Sequence, residues 1–164
     1  MASDRLQLNS ALGSHTDHRM NLIQHSELLS ALFGHWPDFH DAELLSLRLD
    51  ARTEDGPVLE VDLEVAEMSD RIDERGYYLP RQKCRTTLRF RNVTGVAMDE
   101  FREQNVMDDL VIRGLEPAGA ERLTFPWGAR RLQVEFIPIA GFCALSFLCD
   151  AAEVVRAEST LAAT

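Results

Sequence analysis

Three successive stretches alternate apolar and polar residues with a period of two, and this pattern constrains the fold more than any other feature. In "AELLSLRLDA" (42–51), Leu45, Leu47 and Leu49 alternate with Ser46, Arg48 and Asp50. After the turn-like "RTEDGP" comes "VLEVDLEVAEM", where Leu59, Val61, Leu63 and Val65 alternate with Glu60, Asp62 and Glu64. A loop containing "DERGYYLPRQ" leads to "CRTTLRFRNV", with Cys84, Thr86, Leu88 and Phe90 on one side and Arg85, Thr87, Arg89 and Arg91 on the other. Side chains of a strand point alternately to opposite faces, so each stretch reads as a strand with one dry and one wet face. Short turn-rich links between such strands predict antiparallel hairpins, because parallel pairing needs a longer crossover. Further strands are expected in "MDDLVIRGLE", "AERLTFPWG", "RRLQVEFIPI", "GFCALSFLCD" and "AEVVRAES", a helical turn in "MDEFREQNV", and a loop anchor in "GYY" at 76–78.

One helix precedes the strands. In "NLIQHSELLSALFGHWP", Ser26 is placed to cap it, and Leu28, Leu29, Leu32 and Phe33 fall on one side. Gly34 suits the residue after the helix, and Pro37 forbids continuation. The expected architecture is therefore α+β and mostly antiparallel: a single domain of about eight strands with one short N-terminal helix packed on the sheet. Residues 1–20 are polar, lack periodicity and end at a second methionine, Met20, which reads as a loose leader; 21–158 form the domain and 159–164 a frayed tail.

At 164 residues the chain suits one domain with a substantial core, and its 45% hydrophobic and 27% charged content is ordinary for a globular protein. No apolar run approaches the roughly 20 residues that a membrane span needs, and no membrane partner is expected. Cys84, Cys143 and Cys149 are odd in number and lack metal-ligand spacing, which predicts buried, reduced thiols in a cytoplasmic protein. The formal net charge of −10 makes nucleic acid a poor partner, because nucleic-acid binding relies on Lys and Arg to neutralise phosphates. A basic protein is a better one.

The charges are also ordered along the chain. Between Glu54 and Glu74 stand nine acids and one base, Arg71; between Arg75 and Arg91 stand six bases and no acid. If the two strands pair, Glu60, Asp62 and Glu64 meet Arg85, Arg89 and Arg91 across the ladder, each pair adding about 0.2–1 kcal/mol. The acids then left unmatched include Asp99, Glu100, Glu103, Asp108, Asp109, Asp150, Glu153 and Glu158. All of these except Glu158 are the candidate partner-binding residues.

The least generic stretch is "HWPDFHDAE", residues 35–43. As a catalytic site it offers His40 as a general base beside Asp41 and Glu43. In an extended segment, however, His40 and Asp41 point to opposite faces. As a metal site it offers nitrogen and oxygen ligands, but Pro37 prevents a helix from gathering His35 and His40. No P-loop, G-x-G-x-x-G or G-x-S-x-G occurs. The preferred reading is a structural corner built from Trp36, Pro37, Phe39, His40, Asp41 and Glu43. Pro37 holds Trp36 out of the helix, Trp36 and Phe39 wedge between helix and sheet, and His40 and Asp41 bond the backbone. No catalytic residue, cofactor or metal is assigned.

The stretch "LFGHWPDFHDAELLSLRLD" resembles the opening of the immunity protein 50 family of bacterial polymorphic toxin systems. "LRFRNVTGV", then Phe101, Gln104, Asn105 and Val106, then "FLCD" follow in the order that the resemblance requires, over roughly residues 28–155. It implies a cytoplasmic, non-enzymatic protein that binds and neutralises a cognate toxin protein, and it carries over no site residues. The acidity of the chain suits a basic target such as a nuclease domain, inhibited by occlusion of its active site. Two alternatives are a small metal-dependent hydrolase using His40, Asp41 and Glu43, and a structural module that self-associates, so that both monomer and homodimer stay open.

Overall fold

The computed structural model describes residues 21–54, 56–115 and 131–161. Among these the chain forms β1 (Ile23–Gln24), α1 (Glu27–Phe33), β2 (Glu43–Thr53), β3 (Gly56–Ile72), β4 (Tyr78–Arg91), β5 (Thr94–Asp99), β6 (Met107–Leu115), β7 (Arg131–Pro138), β8 (Ala144–Cys149) and β9 (Ala151–Ser159). The strands make two sheets, ordered β1-β9-β4-β3-β2 and β5-β8-β7-β6. Every pairing is antiparallel except the two-residue contact of β1 with β9. This is the mostly antiparallel α+β domain that the alternation predicts.

The dry faces of β3 and β4 meet in one core, whereas the expected face of β2 does not: an irregularity between Leu44 and Ser46 puts Leu44 in the core, leaves Leu45 and Leu47 half-buried and exposes Leu49. Leu59, Val61, Leu63 and Val65 of β3 and Cys84, Leu88 and Phe90 of β4 are buried together with Val134, Phe136 and Phe147 of the second sheet. Phe90 joins the layers: its ring centroid lies 4.8 Å from that of Phe147 and 6.1 Å from that of Phe136, both edge-on, the favourable geometry for aromatic quadrupoles. Helix α1 lies against β9 and β4 and contributes Leu29 and Phe33 to the core, while Leu28 is exposed.

Local readings are refined in several places. Gly34 adopts φ +79° and donates its N–H to the Ser30 carbonyl at 2.8 Å, the left-handed C-terminal stop that glycine provides without strain. Ser26 stands at the N-cap but in α conformation, and its side chain makes no capping bond. The stretch 98–106 holds no helical turn; instead Thr94–Asp99 is an extra edge strand, β5, with every residue exposed. With no residue buried, β5 has no dry face to make an alternation visible.

The expected loop "DERGYYLPRQ" (73–82) is half strand: β3 runs up to it, ending at Ile72, and β4 begins within it at Tyr78. The turn between them is held by the Asp73 carboxylate, which accepts from the N–H groups of Arg75 and Tyr77 at 2.8 and 2.9 Å. Tyr77 and Tyr78 are exposed, so they anchor no loop. At the far end of the chain Ser159 still pairs with Cys84, and Thr160 donates its N–H to the Lys83 carbonyl. The segments 1–20 and "AERLTFPWG" lie outside the described residues.

The charge ladder forms in the expected register, Glu60 opposite Arg89 and Glu64 opposite Arg85. Arg89 reaches Glu60 at 2.7 Å, and Lys83 reaches Glu64 at 2.7 Å. Burial alone would raise the Asp62 carboxyl, but hydroxyl donors from Thr87 and Ser46 and the charges of Arg156 and Arg85 outweigh it and hold the group below its ordinary value. Arg91 lies opposite Val58 and turns instead to β9, where Nη2 meets both carboxylate oxygens of Glu153 at 2.9 Å.

Candidate partner-binding surface

Stretch 35–43 bends at one end of the two sheets. Trp36 and Phe39 are buried with ring centroids 5.5 Å apart, Pro37 and Ala42 are buried beside them, and Glu43 opens β2. The backbone of this corner is tied to the segment ahead of β6. Asp41 N–H donates to the Met107 carbonyl at 2.9 Å, Met107 N–H to Ala42 at 2.8 Å, and Leu44 N–H to Asn105 at 2.8 Å. Glu43 also forms an isolated bridge with Val106. Corner and loop 100–106 are thereby one unit.

Asn105 holds the loop from within. It is buried, its Oδ1 accepts from Arg102 N–H at 2.8 Å and its Nδ2 donates to the Arg102 carbonyl at 2.7 Å. A buried amide so paired is a satisfied structural group. Alternation could not identify it, since the loop has none.

His40 and Asp41 do not serve the backbone as expected. Their side chains are 56% and 61% exposed, with His40 Nδ1 3.2 Å from Asp41 Oδ2 and His40 Nε2 3.4 Å from Asp108 Oδ1. The group that bonds the corner's backbone is Asp38, whose Oδ1 accepts from His40 N–H at 3.0 Å. The opposite-face argument for His40 and Asp41 also fails, because Asp41 sits at φ +63° and breaks the alternation. Asp and Asn are the side chains that tolerate this left-handed region best after glycine.

A cleft of about 220 Å³ lies between the corner and the far half of β3. Asp38, Asp41 and Glu67 line it with His35 and His40, and among the described residues no lysine or arginine does. Glu67 pairs with Arg81 through Oε1, and His35 Nε2 is 3.7 Å from the same oxygen. Oε2 of Glu67 is buried and accepts no hydrogen bond from the described residues. Glu43 is not among the lining residues, and among the described residues no three His, Cys, Asp or Glu side chains gather as a metal ion would require. The hydrolase alternative built on His40, Asp41 and Glu43 therefore lacks its third ligand.

The candidate acids separate into two groups. Asp99, Glu100, Glu103 and Asp108 are exposed and Asp109 is half-buried, all on or next to the loop joined to the corner; Glu100 is paired with Arg102. Asp150 and Glu153 are instead matched internally, contrary to the expectation. Asp150 accepts from Asn92 Nδ2 at 2.5 Å and lies 3.5 Å from Arg131 Nε, and Glu153 is buried between Arg89 and Arg91. The reason is that β9 lands beside β4, a pairing that joins residues some sixty positions apart and leaves no local trace around Glu153.

The three thiols are free and buried. Burial raises the Cys84 and Cys143 thiols, and pushes Cys149, next to Asp150, up to about 12. Such groups stay protonated at neutral pH and are poor nucleophiles.

Fold and site together define a small two-sheet α+β domain that concentrates carboxylates and an open cleft at one end. The sequence model of the immunity protein 50 family matches residues 25–138, and the chain belongs to that family of immunity proteins from toxin systems. No curated protein and no solved structure gives a match. Among the described residues no helix is long and apolar enough to cross a membrane.

Proposed function

We propose that this protein binds the toxin domain encoded beside it and neutralises that toxin by covering its active site, acting in the cytoplasm and without turnover. Family membership carries this reading. The corner supports it as well: its aromatic side chains are packed inward, while its carboxylates face outward. The target is a basic domain such as a nuclease, whose phosphate-binding cleft is positive. A chain of net charge −10 attracts such a surface and speeds its approach. Asp99, Glu100, Glu103, Asp108 and Asp109 belong to the contacting side, within an interface of about 1,200–2,000 Å².

The test is co-purification and inhibition with the toxin domain of the neighbouring gene. A 1:1 complex of nanomolar or tighter affinity, whose association slows steeply with added salt, is the expected result. A toxin domain that retains full activity in the presence of excess protein overturns the proposal.

A further inference from the structure

The β3–β4 hairpin outruns the sheet that carries it. The pairing of β2 with β3 ends at Glu43 opposite Glu64, and that of β9 with β4 at Ser159 opposite Cys84. Past the Thr160 N–H bond to the Lys83 carbonyl and the corner beside Glu67, the two strands pair only with each other among the described residues, with Met68 opposite Pro80 and Ile72 opposite Tyr78. A two-stranded ribbon in water is marginal by itself and gains little from leaving apolar side chains exposed. Yet Met68, Ile72, Tyr77, Tyr78 and Leu79 are all exposed, five of the twelve large apolar residues so placed among the described residues. Single exposed apolar side chains need no explanation, whereas a cluster of them on a projecting arm marks a contact surface. Tyrosine and methionine are among the residues enriched in protein interfaces.

Met68 also lines the acidic cleft, so arm and cleft are one continuous surface. We infer that this arm and the cleft at its base form the docking surface for the toxin domain. They take a protein segment that presents an arginine or lysine flanked by apolar side chains. The apolar flanks lie along Met68, Ile72 and Tyr77, and the cation enters beside Asp38 and Asp41, while Glu67 at the cleft's edge is held by Arg81. Charge selects this occupant over a second copy of the chain. A symmetric contact through the cleft would set its carboxylates against their own duplicates, and like charges brought together across an interface cost affinity. The inference rests on the proposed toxin-binding function and adds the surface and the chemistry of what it accepts.

The test uses the full chain and a catalytically silenced form of the toxin domain encoded beside it, with affinity measured at low and high salt. Met68→Ser/Tyr77→Ser weakens binding by about 100-fold, the sum of two anchor losses. Asp41→Asn keeps the left-handed backbone and weakens binding several-fold, with a shallower salt dependence. Leu49→Ser, an exposed leucine near the opposite turn of the same sheet, leaves affinity within about twofold, as expected of a residue outside the interface. Wild-type binding that survives both the arm and the cleft substitutions overturns the surface while leaving the function intact. So does a wild-type dimer that the arm substitutions convert to monomer without change in toxin affinity. Absence of any binding by the wild-type chain overturns the function first, and the surface with it.

Discussion

Replacing Glu153 separates an internal role from a partner-binding one. Its side chain is 9% exposed, and its carboxylate accepts three hydrogen bonds: Arg89 Nη1 at 3.2 Å and Arg91 Nη2 to both oxygens at 2.9 Å. Breaking a buried pair by deleting one partner costs about 3–5 kcal/mol. Here Arg89 and Arg91 are 35% and 36% exposed, and Arg89 keeps Glu60, so water and the remaining acid recover part of that cost. Glu153→Ala is therefore expected to lose about 2–3 kcal/mol, and Glu153→Gln, which keeps the shape and one acceptor, about half as much. With a urea m-value of about 2 kcal/mol/M, the alanine variant's midpoint falls by about 1–1.5 M. Toxin affinity of the folded variant stays unchanged, since Glu153 lies in the ladder and not on the end that carries the corner. A midpoint shift under about 0.3 M, well below that expectation, refutes the ladder role; weaker toxin binding at unchanged stability refutes the internal one.

Phe39→Ala removes a ring that is 2% exposed and costs about 3–5 kcal/mol by thermal or urea unfolding, whereas His40→Ala, an exposed ring, stays within about 0.5 kcal/mol. Asn105→Ala deletes the two side-chain bonds to Arg102 and a longer third to the Leu44 carbonyl, lowers stability by about 2 kcal/mol and speeds amide exchange at Arg102. The Cys149 thiol, held up at about 12 against about 8.5 in an unfolded chain, contributes stability that is complete below pH 8.5 and is lost as pH rises toward 12. Urea midpoints should accordingly fall over that range, and a thiol reagent at pH 8 should label none of the three buried cysteines until the protein is unfolded.

Much of the first sheet is legible because its signals are local. The burial of Leu59, Val61, Leu63 and Val65 follows from alternation, and the stop at Gly34 from backbone freedom. The candidate site is less legible. That His40 and Asp41 share one side depends on a single left-handed residue, and that Asp108 joins them depends on hydrogen bonds across some sixty-five positions. The arm is hidden for a similar reason: "DERGYYLPRQ" has the composition of a loop, and only the pairing of Ile72 with Tyr78 makes it a ribbon.

By itself the sequence determined that this chain makes antiparallel hairpins with acids opposite bases and a short helix ended by glycine, because each depends on neighbours a few residues away or one turn apart. Only the tertiary structure decided which strands share a sheet, that β9 seals Glu153 into the ladder, and that β3 and β4 extend past their neighbours. Those outcomes arise from contacts between distant segments, whose choice rests on the packing of whole faces and leaves no periodic trace in the residues that make it.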